Sequence, residues 1–422
     1  MSEQELIDSP WLQRLRRIRQ LQTATWVYAT AEHSRFTHSL GAMHLAGRWA
    51  AHLYPSLIKY HPAAPSQALV VETLRLAGLL HDVGHGPFGH FFEENYLQPR
   101  WGIDHETVWR QIILRCLAPL ITQIAASPEA DFAVGEAIEP AWVAELISPV
   151  PLPGFSPPEW LLALKPLLLG PFSADNMDYV PRDASMCGVA VGPVDVDRIL
   201  HYSFFSPQGL CLHIHGSEAL FMFLSARLYL YQQVYFHRTV RRIDLQLREI
   251  FAPTIDQLLS QNPLENLDAF YRLNEWGLLG QVESWSDGEG NPEQIELGLA
   301  WAELLRRRFS WRLVYSDYSE SHQVEGARSR EVLAERIRER LGPELVDLEF
   351  EVDLATRESG AFNPLREEQD ILFYDPLGEE YRCSRIDELF RRLPVRMALC
   401  RVFSRGERGR TELGAAARQV LG

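Results

Sequence analysis

His81-Asp82-Val83-Gly84-His85-Gly86-Pro87-Phe88-Gly89-His90 closes an apolar run, Leu74-Arg75-Leu76-Ala77-Gly78-Leu79-Leu80, whose spacing predicts a helix. Burying an imidazole beside a carboxylate is costly unless something satisfies both. A divalent cation does so, because imidazole nitrogen and carboxylate oxygen are among its common ligands. Gly84 and Gly86-Pro87 end the helix or bend the chain sharply. One helical turn separates His81 from His85, so both rings can face one cavity. Solvated histidines at a helix C-terminus would also be electrostatically favourable. The apolar helix ahead of the pair, and the further histidines His85 and His90, favour a site.

Upstream, small and apolar residues recur at 40, 43, 46–47, 50 and 53, which predicts a tightly packed helix with His38 at its start. Residues 54–68, with Pro55, Pro62 and Pro65, read as a loop. Nearer the N-terminus, Ser9 caps and Pro10 opens a helix with an apolar stripe at Trp11, Leu12, Leu15 and Ile18. Arg14, Arg16, Arg17 and Arg19 fill its other face, either solvated or gathered to contact an anion.

Downstream, His105-Glu106 precedes an apolar helix over 107–125; the pair suits proton transfer, or is an acidic first turn with an incidental histidine. In Asp175-Asn176-Met177-Asp178-Tyr179-Val180-Pro181-Arg182-Asp183, helical spacing puts Asp175, Asp178, Tyr179 and Arg182 on one face. Acids so close repel unless a cation or the arginine sits among them. Pro181 predicts a kink or an early end to that helix. A long helix over about 216–245 carries Arg227, Tyr231, Tyr235 and Arg238, as a packed interface or as a wall for a nucleotide. From about 250 the character changes. Helices and loops fill 251–310, and a small mixed α/β module follows, with a strictly alternating strand over 348–354 and another over 370–374. The tail after 405 is charged and then helical.

At 422 residues, with 46% hydrophobic and 23% charged content, the chain suits two globular domains: 1–250 and 251–422. The fold class is mainly α, a helical core with a smaller C-terminal mixed α/β region. A formal net charge of −15 argues against nonspecific binding along nucleic acid. No apolar run reaches membrane-span length, and the acidic N-terminus lacks a signal-peptide pattern. The scattered Cys116, Cys187, Cys211, Cys383 and Cys400 read as reduced thiols of a cytoplasmic protein.

Taken together, Arg35-Phe36-Thr37-His38-Ser39-Leu40-Gly41, the 81–90 stretch, His105-Glu106 and 175–183 resemble the HD-domain metal-dependent phosphohydrolases, and within them the deoxynucleoside triphosphate triphosphohydrolases. The resemblance runs from about residue 5 to 245. It implies an HD-domain helical bundle in which His38, His81, Asp82 and Asp175 bind one divalent metal (Mn, Fe, Co, Ni, Zn or Mg), with a second Mg able to bind with the nucleotide. It implies that His85, His90 and His105 surround the reacting phosphate, that His105 transfers the proton, and that Glu93 or Glu106 orients it. Arg35 and Arg227 would contact phosphates. Tyr179 and Asp183 would hold the sugar hydroxyl, Tyr235 would stack below the sugar, and Gln20 and Leu21 would border the base or sugar edge. Asp8, Gln13 and Arg16 match a region that some relatives use for an activating nucleotide between subunits, which implies a homo-oligomer. Two positions depart from the pattern: Asn176 replaces a basic residue, and Tyr231 stands where some relatives have histidine near the leaving group.

The expected reaction is hydrolysis of a deoxynucleoside triphosphate to deoxynucleoside and triphosphate. A phosphohydrolase or phosphodiesterase acting on another nucleotide or on nucleic-acid ends is the alternative that Asn176 raises. A nucleotide-sensing protein without turnover is the alternative that the Asp8 to Arg16 segment raises.

Overall fold

Ala42, Met43, Ala46, Trp49, Ala50, Leu53 and Leu57 line one buried side of a helix that runs Arg35–Tyr60. In the computed structural model, which describes residues 2–321, 329–358, 371–377, 393 and 396–421, this helix packs along a second, Gln67–Leu80. The second helix starts where Ser66 Oγ accepts from the N–H of Leu69, and stops with His81 as its C-cap. A third, Ala174–Cys187, lies against the first. Its ends are fixed by Ser173, whose Oγ accepts from Asn176, and by Gly188 in the left-handed region.

Two proline expectations are corrected. Residues 54–60 are helix, not loop: the Arg35–Tyr60 helix passes through Pro55. The proline removes the N–H that would have met the carbonyl of Ala51, and that carbonyl takes the side-chain amide of Gln67 instead, at 3.4 Å. Ala174–Cys187 also passes through Pro181 without ending early. Burial of Val180, Asp183 and Ala184 around it keeps the helix where the lost bond alone would break it. Likewise the long helix expected over about 216–245 is two helices, Ser217–Leu230 and Arg238–Leu258, joined through a π-turn at Tyr231–Tyr235. The N-terminal helix is only Pro10–Arg14, followed by a 3-10 turn at Leu15–Arg17.

By packing, the chain forms two units. The first comprises Met1–Leu230, Ile255–Leu279 and Gln369–Ile386; the second, Tyr231–Thr254, Gly280–Glu368 and Asp387–Gly422. The first unit is helical apart from a small sheet. Its strands β1 (Ser203–Ser206) and β2 (Gly209–His213) form a hairpin, and β5 (Leu372–Tyr374) pairs with β2 in parallel.

The second unit holds the antiparallel sheet β3 (Trp311–Ser321), β6 (Arg396–Arg405), β4 (Phe350–Glu358), in that spatial order. Phe350 and Val352 alternate inward with Glu351 outward, and pack with Leu333, Ile337, Val402 and Leu413. Asp353 breaks the alternation by being buried too, where Arg241 Nη2 donates to it at 2.6 Å. The molecule is thus mainly α with a smaller mixed α/β region. Among the described residues no helix is long and apolar enough to cross a membrane. Cys116, Cys187, Cys211 and Cys400 are outside any disulfide; Cys383 and Asp370 lie outside the described residues.

Candidate active site

Three helix ends bring the expected ligands together. His38 stands in the first turn of Arg35–Tyr60, His81 caps the end of Gln67–Leu80 with Asp82 next to it, and Asp175 opens Ala174–Cys187. His38 Nε2 lies 3.1 Å from His81 Nε2 and 3.0 Å from Asp175 Oδ1. His81 Nε2 lies 3.5 Å from Asp82 Oδ1 and 3.6 Å from Asp175 Oδ1, and Asp82 Oδ2 is 4.0 Å from His38 Nε2.

The other nitrogen of each ring decides which lone pair is bare. His38 Nδ1 lies 2.8 Å from Asp178 Oδ2, and His81 Nδ1 lies 2.8 Å from the carbonyl oxygen of Gly78. Each of these oxygens accepts, so each Nδ1 donates and each Nε2 offers its lone pair. Two lone pairs and two carboxylates then point into one small volume. That donor set repels itself unless a cation occupies the centre, and an acceptor behind each histidine is the arrangement of metal-bound imidazoles.

The electrostatics agree. Burial lowers His38, but Asp175, Asp178 and Asp82 lift it to about 10, so the centre attracts positive charge: a proton on Nε2, or a metal ion in its place. Burial works to raise Asp82 and Asp175. Arg35, His81 and His85 nevertheless hold Asp82 well below the usual carboxylate range, and His38 and His81 do the same for Asp175. These residues fit a divalent metal.

A second set of histidines adjoins the first. His85 Nε2 is 3.2 Å from Asp82 Oδ1, while its ring stacks on His105 with centroids 4.0 Å apart and planes at 12°. His90 meets both edge-on, at 4.8 and 5.2 Å. Burial and the nearby Arg35 push His85 well below its usual value, which keeps the ring neutral.

His105 starts the helix His105–Gln111, capped by Asp104, and Glu93 Oε2 bonds its Nδ1. Glu93 also accepts from the backbone N–H of His105 at 3.4 Å. His105 and His90 depress the Glu93 carboxyl against the opposing effect of burial, so it stays ionised. Of the two carboxylates expected behind His105, Glu93 makes the bond. Glu106 is half-buried, and burial raises its carboxyl. Gly84 lets the loop meet this helix: a Cβ there would lie 2.2 Å from the carbonyl oxygen of His105.

The expected substrate residues divide. Tyr179 Oη accepts from Arg227 Nε at 2.9 Å, and the Tyr179 ring lies 6.5 Å from that of His38. Asp183 is buried and bonded to His33 Nε2 at 2.8 Å; Gln20 donates its N–H to the carbonyl of the same His33, and Leu21 is buried beside it in sequence. Arg35 is turned to Asp82, donating at 2.8 Å. The Asn176 side chain donates to Gly170 at 3.0 Å. Tyr231 and Tyr235 fall in the second unit, with rings 4.8 Å apart.

In the N-terminal segment Asp8 accepts from Gln4, Gln13 bonds Ile7 and Arg16, and the Arg16 guanidinium lies 3.8 Å over Phe36. Its four arginines are not one anion-facing group. Arg14 is buried among carbonyls and Arg19 pairs with Glu32 and Glu275. Sequence reasoning missed His33 and the supporting role of Asp178. The i, i+3 spacing of Asp175 and Asp178 was the available signal for the latter.

The HD domain family model matches residues 35–142. YwfO, an uncharacterised protein of Bacillus subtilis, is 29% identical over 300 residues, covering 68% of this chain and 63% of its own. A Dictyostelium discoideum homologue of the deoxynucleoside triphosphate triphosphohydrolase SAMHD1 is 26% identical over 290 residues, 68% of this chain and 52% of its own. Human SAMHD1 is 27% identical over 271 residues, 60% and 42% respectively. The matched region thus spans roughly half the length of these relatives. A crystal structure of a hypothetical protein from Aquifex aeolicus superposes with a TM-score of 0.69 at 24% identity, over 100% of this chain and 96% of that one, which shows a shared fold. Residues 35–142 thus carry an HD domain, and about two thirds of the chain is similar to proteins named as deoxynucleoside triphosphate triphosphohydrolases.

Proposed function

We propose that the first unit hydrolyses deoxynucleoside triphosphates to deoxynucleoside and triphosphate. One observation carries this reading: His38, His81 and Asp82 cluster, with Asp175 against both histidines, beside a three-histidine wall in which Glu93 holds His105. His38, His81, Asp82 and Asp175 would hold a divalent metal, which when bound would supply Lewis-acid polarisation of a phosphoryl oxygen and a site for water. Water adds at the α-phosphorus and the bond to the sugar 5′-oxygen breaks, so that oxygen needs a proton. His105, with Glu93 on its Nδ1, delivers it from the other nitrogen. His85, kept neutral, and His90 flank the phosphate. Tyr179 and Asp183 meet the sugar, with Gln20 and Leu21 at its edge; Arg227 completes the contacts. Asp8, Gln13 and Arg16 are the proposed contacts of an activating nucleotide in a homo-oligomer.

The test is to incubate metal-loaded protein with each deoxynucleoside triphosphate and assay tripolyphosphate, with Asp82→Ala as control. No tripolyphosphate from any of them, while other phosphoesters are cleaved, refutes the assignment. A specific observation favours a second reading. Asn176 turns its neutral amide to Gly170 and brings no positive charge to the site, so an HD phosphohydrolase or phosphodiesterase acting on another nucleotide, or on a nucleic-acid end, is the alternative that this outcome would select.

A further inference from the structure

The loop that carries His85 and His90 is held by two buried charged residues of opposite sign. Arg14 lies under the carbonyl end of the loop. Its Nη1 donates to the His85 carbonyl oxygen at 2.7 Å, its Nε to Tyr271 at 3.0 Å and its Nη2 to Leu273 at 2.7 Å. Glu275, fully buried, takes the other end. Its Oε2 accepts from the Phe88 N–H at 3.4 Å and from the Arg19 N–H at 3.2 Å, and its Oε1 from Arg19 Nη1 at 3.0 Å. Both contacts fall between His85 and His90, and they bracket Gly86-Pro87, where proline has no N–H to offer a neighbour.

The backbone between them is in a conformation it would not choose alone. Phe88 has φ of 62°, the left-handed region that a bulky side chain strongly disfavours. Gly89 follows at φ of 49°, with Arg35 Nη2 2.3 Å from where a Cβ would stand. Such strain persists only where surrounding structure over-determines it, and it collects at active sites. A guanidinium stripped of water and surrounded by carbonyls is a costly way to build a core, and burial lowers Arg14 to about 9 despite Tyr271.

We infer that Arg14 and Glu275 are positioning residues: they hold the 85–90 loop in its strained form and thereby fix His85 against His105 and Asp82. Neither touches the metal ligands, so the role is separable from metal binding. This inference adds to the proposed function without depending on which nucleotide is cleaved.

The test uses the full chain with Glu275→Gln, Arg14→Lys and Arg14→Met. Amide hydrogen exchange over 83–92, bound metal, and kcat and KM on whichever phosphoester the wild type hydrolyses are measured for each. Exchange at the loop amides should rise on the order of 10-fold or more while the remainder of the first unit changes little. Metal content should hold, and kcat should fall on the order of 10- to 100-fold with KM nearly unchanged. Arg14→Lys, which keeps a charged donor group but not the planar fork, should lie between wild type and Arg14→Met. Unchanged loop exchange, or a rise spread evenly over the unit, overturns the inference. If one variant does not fold, the other site decides. If the wild type cleaves no nucleotide, the proposed function fails, but exchange and metal content still decide this point.

Discussion

Replacing Asp178 separates a metal-supporting role from a merely structural one, because its two oxygens do different work. Oδ2 lies 2.8 Å from His38 Nδ1 and also accepts from Arg182 Nε at 2.8 Å; Oδ1 accepts from Arg182 Nη2 at 2.7 Å. Asp178→Asn keeps an oxygen for His38 and loses the charge. Asp178→Ala loses both, and frees the His38 ring to rotate or change tautomer. Partners behind a ligating histidine are worth about 10- to 100-fold in metal affinity, or about 1.4–2.8 kcal/mol. The asparagine variant should fall near the low end and the alanine variant near the high end.

Arg182→Ala supplies the opposite sign. It leaves Asp178 bonded to His38 without a neutralising partner, which makes His38 a better donor to the metal. Affinity should then hold or tighten. Competition against a chromogenic chelator, with Zn, Mn and Co in turn, measures all three variants below their melting temperatures. Wild-type affinity in Asp178→Ala, or equal weakening in Arg182→Ala, refutes the reasoning.

Glu93→Gln removes the charge that orients His105 and should lower kcat on the order of 100-fold with metal content unchanged; steady-state rates and metal analysis check it. Gly84→Ala places a methyl 2.2 Å from the His105 carbonyl oxygen and 2.6 Å from the Trp109 backbone nitrogen, neither of which can swing away. It should cost about 1–3 kcal/mol of stability, read by denaturant unfolding, and should lower activity further by displacing His105. Glu72 is buried on the Gln67–Leu80 helix, and burial together with the Glu3 carboxylate lifts it to about 8 despite Arg75. The folded state therefore holds a proton that the unfolded chain has released above its ordinary carboxyl range. This contribution is complete in acid and is lost as pH rises toward and through about 8. Glu72→Gln should melt like wild type near pH 5 and higher than wild type at alkaline pH, by calorimetry; parallel curves would sink the argument.

What could be read from the sequence was whatever wrote itself in side-chain types at short range. His81 and Asp82 are adjacent at the end of an apolar helix, His38 opens another, and the crowding of Asp175 with Asp178 needs a cation somewhere. What could not be read depends on backbone atoms of distant residues. Arg14 is buried by the carbonyls of His85, Tyr271 and Leu273, and no residue type announces a carbonyl. Glu275 acts through the N–H of Phe88, a group every non-proline residue has. Pro55 looked like a helix breaker because the answering amide, on Gln67, belongs to the next helix. Pairing of Cys211 with Leu372, in parallel and far apart along the chain, likewise leaves no local trace.

A chain with a formal charge of −15 is a poor long-range attractor of a polyphosphate, so recognition of the proposed substrate would have to be local. The site shows how that can be arranged. Asp82 and Asp175 together would balance a divalent ion. Asp178 and Arg182 balance each other, and Arg35, paired with Asp82, would leave that ligand set with one positive charge in excess once a divalent ion is bound. Arg35 therefore matters to an anionic substrate through the metal pocket it charges. A neutral residue there should weaken the attraction even if no phosphate ever touches it. Arg35→Lys, which keeps the charge but not the geometry, should retain more activity than Arg35→Gln, which keeps a hydrogen-bond donor but not the charge. The reverse order would mean that shape, and not charge, is what Arg35 supplies.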